Sequence, residues 1–238
     1  MAVVAAVRTS MPDSASWVYC TLGNAYLDLG NFSKAIEYHA QYLAIAKEVG
    51  DRVEEGRAYG SLGIAYQSQG GYAKAIEYHT QDLAIAKEVG DRTGEGRAYG
   101  NLGIAYQSQG DYAKALKHRK QCLAIAKEVG DRAGEGAAYA NLGCSYRSQG
   151  DYAKSIEHHS QCLVIAKEVG ARAGEGRAYA HLGNAHDSLG DFSQVIEYHT
   201  QHLAIAKEVG NRAGEGMAYA PRRLPHALER FRQSRRLL

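Results

Sequence analysis

Ala84-Ile-Ala-Lys-Glu-Val-Gly90 is the stretch whose reading decides the fold. It recurs from residues 44, 84, 124, 164 and 204, with Val164 the only departure, so the interval is a constant 40 residues. Between copies lies a second recurring run, Tyr99-Gly-Asn-Leu-Gly-Ile-Ala-Tyr106, with relatives at 19, 59, 139 and 179. A fixed period of this length marks a solenoid, in which each unit buries its apolar face by stacking on the next.

Each repeat reads as two helices. Tyr99, Leu102, Gly103 and Tyr106 follow i, i+3, i+4, i+7, one face of a helix. Gly110 suits a left-handed stop and Asp111 the N-cap of the next helix. Tyr112, Ala115, Leu116, Leu123, Ala126 and Val129 then give a second stripe, ended by Gly130. The spacing predicts first helices near 13–29, 51–69, 91–109, 131–149 and 171–189. Second helices are expected near 31–49, 71–89, 111–129, 151–169 and 191–209. Gly103 falls where the first helix approaches its partner.

The pattern Tyr59-x-x-Leu62-Gly63-x-x-Tyr66, then Ala75-x-x-x-His79, resembles the tetratricopeptide repeat. That family writes W-x-x-L-G-x-x-Y, then A-x-x-x-F, then Pro, in 34 residues. Here Tyr replaces Trp, His often replaces Phe, and the closing Pro is missing, which lets the second helix run on. The forty-residue form, with Gly-Asp-Arg-Ala-Gly-Glu-Gly ahead of Tyr-x-x-Leu-Gly-Asn-Ala, is similar to repeats of the LGN/Pins scaffolds. The resemblance covers 13–220 and implies an all-α, right-handed superhelical solenoid of antiparallel helix pairs. The Gα-binding motifs of those scaffolds are not recognisable, so that activity is not carried over.

The expected organisation is a leader over 1–12, five repeats plus a truncated sixth over 13–220, and a basic tail over 221–238. The sixth unit begins normally at Asn211 and fails at Pro221-Arg222-Arg223, where Asn-Leu-Gly is expected. Two accounts stand open. A reading-frame change turns AAC-CTC-GG into CCT-CGG, Pro-Arg. Alternatively Leu224, Ala227, Leu228 and Phe231 form a short capping helix.

Net charge is +2, yet the tail holds six Arg against one Glu, so the body is slightly acidic. That disfavours a nucleic-acid surface. No apolar run approaches the ~20 residues of a membrane span. Met1–Val7 is too short for a signal-peptide core. Four cysteines are too few for a disulfide scaffold, which fits a reducing compartment. The expected location is cytoplasmic.

Positions that vary between repeats are free for recognition. One column reads Thr21, Ser61, Asn101, Asn141, His181, and its neighbour Asn24, Ile64, Ile104, Cys144, Asn184. One turn N-terminal stand Arg57, Arg97 and Arg177, with Trp17 in the equivalent first place; Arg147 lies further along. The family resemblance puts this side of the first helix in the concave groove. Asn24, Asn101, Asn141, His181 and Asn184 then hold a peptide backbone, and Arg57, Arg97, Arg147 and Arg177 its carboxylates. The competing reading is a solvated helix face with no ligand.

His159/Cys162 and His199/His202 share i, i+3 spacing, a pattern suited to metal ligation. His39, His79, His159 and His199, however, hold the repeat's aromatic position, with Arg119 breaking the column, so packing accounts for them. No metal site or cofactor is expected, because the donors recur with the repeat instead of converging. No nucleophile elbow, phosphate loop or dinucleotide fingerprint occurs. Arg92 and Glu95 read as a surface pair. The expected function is a non-enzymatic scaffold that binds an extended, acidic peptide or protein segment. The alternative is a structural array, self-associating through its C-terminal end, or a fragment of a larger scaffold.

Overall fold

Ten glycines, one every twenty residues from Gly30 to Gly210, set the breaks between helices. Each has φ between +68° and +91°, the left-handed region that a side chain disfavours. At nine of the ten breaks two bonds reach back into the finished helix. Asn31 N donates to Tyr26 O and Gly30 N to Leu27 O, the pairing that satisfies the last carbonyls. The next residue then caps the new helix. Asp51, Asp91, Asp111, Asp131, Asp151 and Asp191 each accept a backbone N–H three residues on, as does Asn31. Gly71 and Ala171 supply no such side-chain cap.

The computed structural model describes residues 12–211 and Gly214. The helices are α1 Pro12–Asp28, α2 Phe32–Val49, α3 Arg52–Ser68, α4 Tyr72–Glu88 and α5 Arg92–Gln109. They continue as α6 Tyr112–Glu128, α7 Arg132–Ser148, α8 Tyr152–Glu168, α9 Arg172–Leu189 and α10 Phe192–Glu208. The predicted spans fall within two residues of these. The chain divides into two units, Met1–Val129 and Gly130–Leu238. Within each, a first helix packs on the second helix after it, and α2, α4 and α8 pack on the first helix that comes next. The fold class is the all-α solenoid of antiparallel helix pairs. Among the described residues no helix is long and apolar enough to cross a membrane. Residues 1–11 of the leader, all of the interrupted sixth unit but Asn211 and Gly214, and the basic tail lie outside the described residues. So does the C-terminal end assigned to self-association. The sixth unit's first cap is described: Asn211 accepts from Gly214 N at 3.0 Å.

Two rings of each first helix pack on one ring of the second; they are tyrosines except in α9, where Tyr179 and His186 pack on Tyr198. Tyr106 stacks on His118 at 5.2 Å between centroids, and Tyr99 tilts against its other side at 5.8 Å. Tyr66 and Tyr59 hold Tyr78 in the same way. Lysines lie over the outer tyrosine faces, Lys114 over Tyr106 and Lys74 over Tyr66. The second-helix stripe differs from expectation at its ends. Ala115 and Ala126 are buried, but Tyr112 and Val129 stand at the helix termini and are exposed, and Ile125 takes the buried place.

The Arg92–Glu95 pair is more than a surface pair. Glu95 is only 6% exposed, and Arg92 also forks onto Glu128 at the far end of the partner helix. Arg52, Arg132 and Arg172 repeat the arrangement with Glu55 and Glu88, Glu135 and Glu168, Glu175 and Glu208. One arginine thus ties the start of a first helix to the end of its antiparallel partner.

Candidate functional site

In the first unit a cavity of about 680 Å³ opens along the faces of α1, α3 and α5. Helical spacing puts Trp17, Arg57, Ser61, Ile64, Arg97 and Asn101 on its wall. Trp17 is 69% exposed and Ile64 is also exposed, so apolar surface and guanidinium groups share one opening. Asn24 is exposed but outside that lining; its amide points at Cys20 Sγ at 3.8 Å.

The arginines do not stand alone. Arg57 pairs with Glu54, which also accepts from the hydroxyl of buried Tyr42. Arg97 Nη2 reaches Asp82 Oδ1 at 3.4 Å. Asp82 is 1% exposed, and its Oδ2 has no hydrogen-bond partner. Burial pushes its carboxyl up to about 6, against the pull of Arg97. Room for Asp82 comes from Gly60, where a Cβ would sit 2.8 Å from Oδ2. Tyr42, Glu54 and Asp82 therefore belong to the site, and sequence reasoning missed them. The signal was present. The column Tyr42, Asp82, Cys122, Cys162, His202 varies in every chemical sense, and Asp82 is its one acid.

In the second unit a smaller cavity of about 270 Å³ is lined by Ala137, Ala140, Cys162, Arg177 and His181. Arg177 is exposed, while His181 and Asn141 are half-buried. Burial pushes the His181 imidazole down, and the charges of Arg147 and Arg177 add to the effect. Burial raises the Cys162 thiol, with Arg177 opposing. Arg147 and Asn184 are exposed and lie outside that cavity's lining. Of the nine residues named as peptide-binding, the structure thus brings Arg57, Arg97 and Asn101 into one cavity and Arg177 and His181 into another.

The histidines of the repeat's aromatic position are core residues. His39, His79 and His159 are fully buried and His199 nearly so. Burial drives His39 and His79 down to about 4 and His159 to about 3, so all three are neutral.

Comparison with known proteins agrees with the helix-pair fold. Over 58 residues the chain is 41% identical to human G-protein-signaling modulator 1, which is 24% of this chain but 9% of that protein's length. The structure of BtubC (BKLC) from P. vanneervenii superposes with a TM-score of 0.77 at 20% identity, over 84% of this chain and 83% of that one. A Rap protein complexed with competence and sporulation factor gives 0.73 at 18% identity, over 85% and 56%. The model of the tetratricopeptide repeat matches residues 14–88, 54–128, 94–168 and 134–208. Those matches run through every helix pair described above, and the chain belongs to the tetratricopeptide repeat family.

Proposed function

We propose that the chain is a non-enzymatic interaction scaffold that binds an extended, acidic peptide segment along its first-helix faces. The observation that carries this is the first unit's cavity, where exposed Trp17 and Ile64 adjoin Arg57, Arg97 and Asn101. An extended backbone needs paired donors and acceptors, which Asn101 offers. Acidic side chains need guanidinium donors. Arg97 gives only one long bond to Asp82, and the rest of its guanidinium is half exposed. In the second unit Asn141, Arg147, Arg177, His181 and Asn184 have the same assignment, and Asn24 has it in the first. The fold is one that typically serves protein–protein interaction, and a Rap protein of this fold is complexed with a factor. The LGN/Pins-like subtype is part of the same proposal, supported by the forty-residue period and its Gly-Asp-Arg linker.

Trp17 is the only tryptophan and reports directly on the cavity. Titrating the protein with extended Asp/Glu-rich peptides should shift its emission saturably. Arg97→Ala should weaken binding about tenfold, the scale of a lost charge-assisted hydrogen bond, and flatten its salt dependence. Asp82→Asn should tighten binding, because it removes the carboxylate that competes for Arg97. Unchanged affinity in Arg97→Ala, Asp82→Asn and Asn101→Ala alike excludes this face as the binding site.

A further inference from the structure

One convergence of donors crosses three helices. Cys144 on α7, His159 on α8 and His181 on α9 bring Sγ and two imidazole nitrogens within 4.8 Å of one another. Among the described residues this is the one His/Cys/Asp/Glu group of this kind. We propose that these three side chains form a binding site for a borderline-soft divalent cation, zinc above all.

The donor set fits that ion. One thiolate and two imidazoles suit zinc and leave a fourth, open position. His159 is fully buried, and neither ring nitrogen has a hydrogen-bond partner. His181 Nδ1 is likewise buried without one. The same lack recurs at His39 and His79, so it is not by itself a site. What distinguishes His159 is a second imidazole stacked on it at 4.6 Å, together with a thiol.

The distances require a modest closure. Tetrahedral zinc with ordinary Zn–N and Zn–S bonds sets its donors about 3.3–3.6 Å apart. The separation of 4.8 Å at most must therefore shrink by about 1 Å. The two rings lie 9° from parallel, so one of them must turn for both lone pairs to meet. His181 is the less buried ring and the one placed to turn. Solvent supplies the fourth donor, since Cys144 and His181 are only half-buried.

The repeat itself supplies the test variants. Positions equivalent to Cys144 carry Ile64 and Ile104, and those equivalent to His181 carry Asn101 and Asn141. Cys144→Ile and His181→Asn therefore import side chains that this fold already accommodates. Titrating the full chain with Co²⁺ should give one equivalent bound, with thiolate-to-cobalt absorption and the visible bands of a tetrahedral ion. Zn²⁺ should displace it and raise the melting temperature. Each variant should lose more than the about 10–100-fold in affinity that an outer-shell change costs. Their metal-free melts should match the parent, and Cys122→Ala should bind as the parent does. If the parent shows no thiolate–cobalt band, or both variants bind Co²⁺ like the parent, the site does not exist.

Discussion

Placing a methyl group at Gly63 and at Gly100 should move stability in opposite directions, although both are mid-helix glycines of first helices. In either helix Ala is favoured over Gly by about 0.5–1 kcal/mol, because glycine loses more backbone freedom on folding. At Gly100 a Cβ meets only Cys122 Sγ at 3.6 Å, an ordinary contact, and the equivalent later positions are Ala140 and Ala180. The full propensity gain should appear. At Gly63 the Cβ would lie 2.4, 2.5 and 2.7 Å from three atoms of the His79 ring. That ring is rigid and fully buried, so the helices must part. Overpacking of this kind costs about 1–3 kcal/mol. Subtracting the propensity gain leaves a net loss of up to about 2.5 kcal/mol. At about 2–4 °C per kcal/mol for a chain of this size, Gly100→Ala should melt about 1–4 °C above the parent. Gly63→Ala should melt below it, by up to about 10 °C. In a His79→Ala background the cost of Gly63→Ala should vanish, which a double-mutant cycle reads directly. Equal shifts of the same sign for both alanines would refute the close-approach argument.

Acid should unfold the protein through its core histidines. His39 and His79 fall from 6.5 unfolded to about 4 folded, so the unfolded state binds more protons between those values. Their contribution is complete above pH 6.5 and is lost as pH falls towards 4, roughly 3 kcal/mol each. Circular-dichroism melts from pH 7 to 4.5 should show a steep fall, and a flat profile would contradict it. Asp82 acts in the opposite sense over about pH 4 to 6, since its folded carboxyl is raised and prefers the proton. Asp82→Asn should therefore deepen the loss of stability over that window, measured by the same melts. Arg92→Ala should destabilise more than Glu128→Ala in urea unfolding. The first leaves nearly buried Glu95 without its guanidinium, whereas the second leaves an exposed arginine still paired with Glu95.

The helices were legible because their signals are local. A glycine every twenty residues forces the left-handed turn, an Asp or Asn beside most of them caps the next helix, and the apolar spacing marks the inward face. The ring pair of a first helix could be placed on one face, as Tyr99 and Tyr106 were. That His118 lies between them emerges only once α5 and α6 are set side by side. Tyr112 and Val129 were misplaced because a periodic stripe does not say where the neighbouring helix ends.

The site was legible as a column and not as a chemistry. Period comparison chose Arg57, Arg97 and Asn101, and the structure puts them in one cavity with Trp17. It did not show that Glu54 and Asp82 already hold the two arginines, nor that Asp82 fits only because residue 60 is glycine. Cys144, His159 and His181 are separated by 15 and 22 residues and lie on three helices. A repeat compared with its own copies reveals which positions differ. Which differing positions meet depends on how one helix pair stacks on the next. Stacking is set by side-chain volumes such as those at Gly63 and His79, so the sequence alone determined the helices and their faces, while tertiary packing decided which polar side chains share a site.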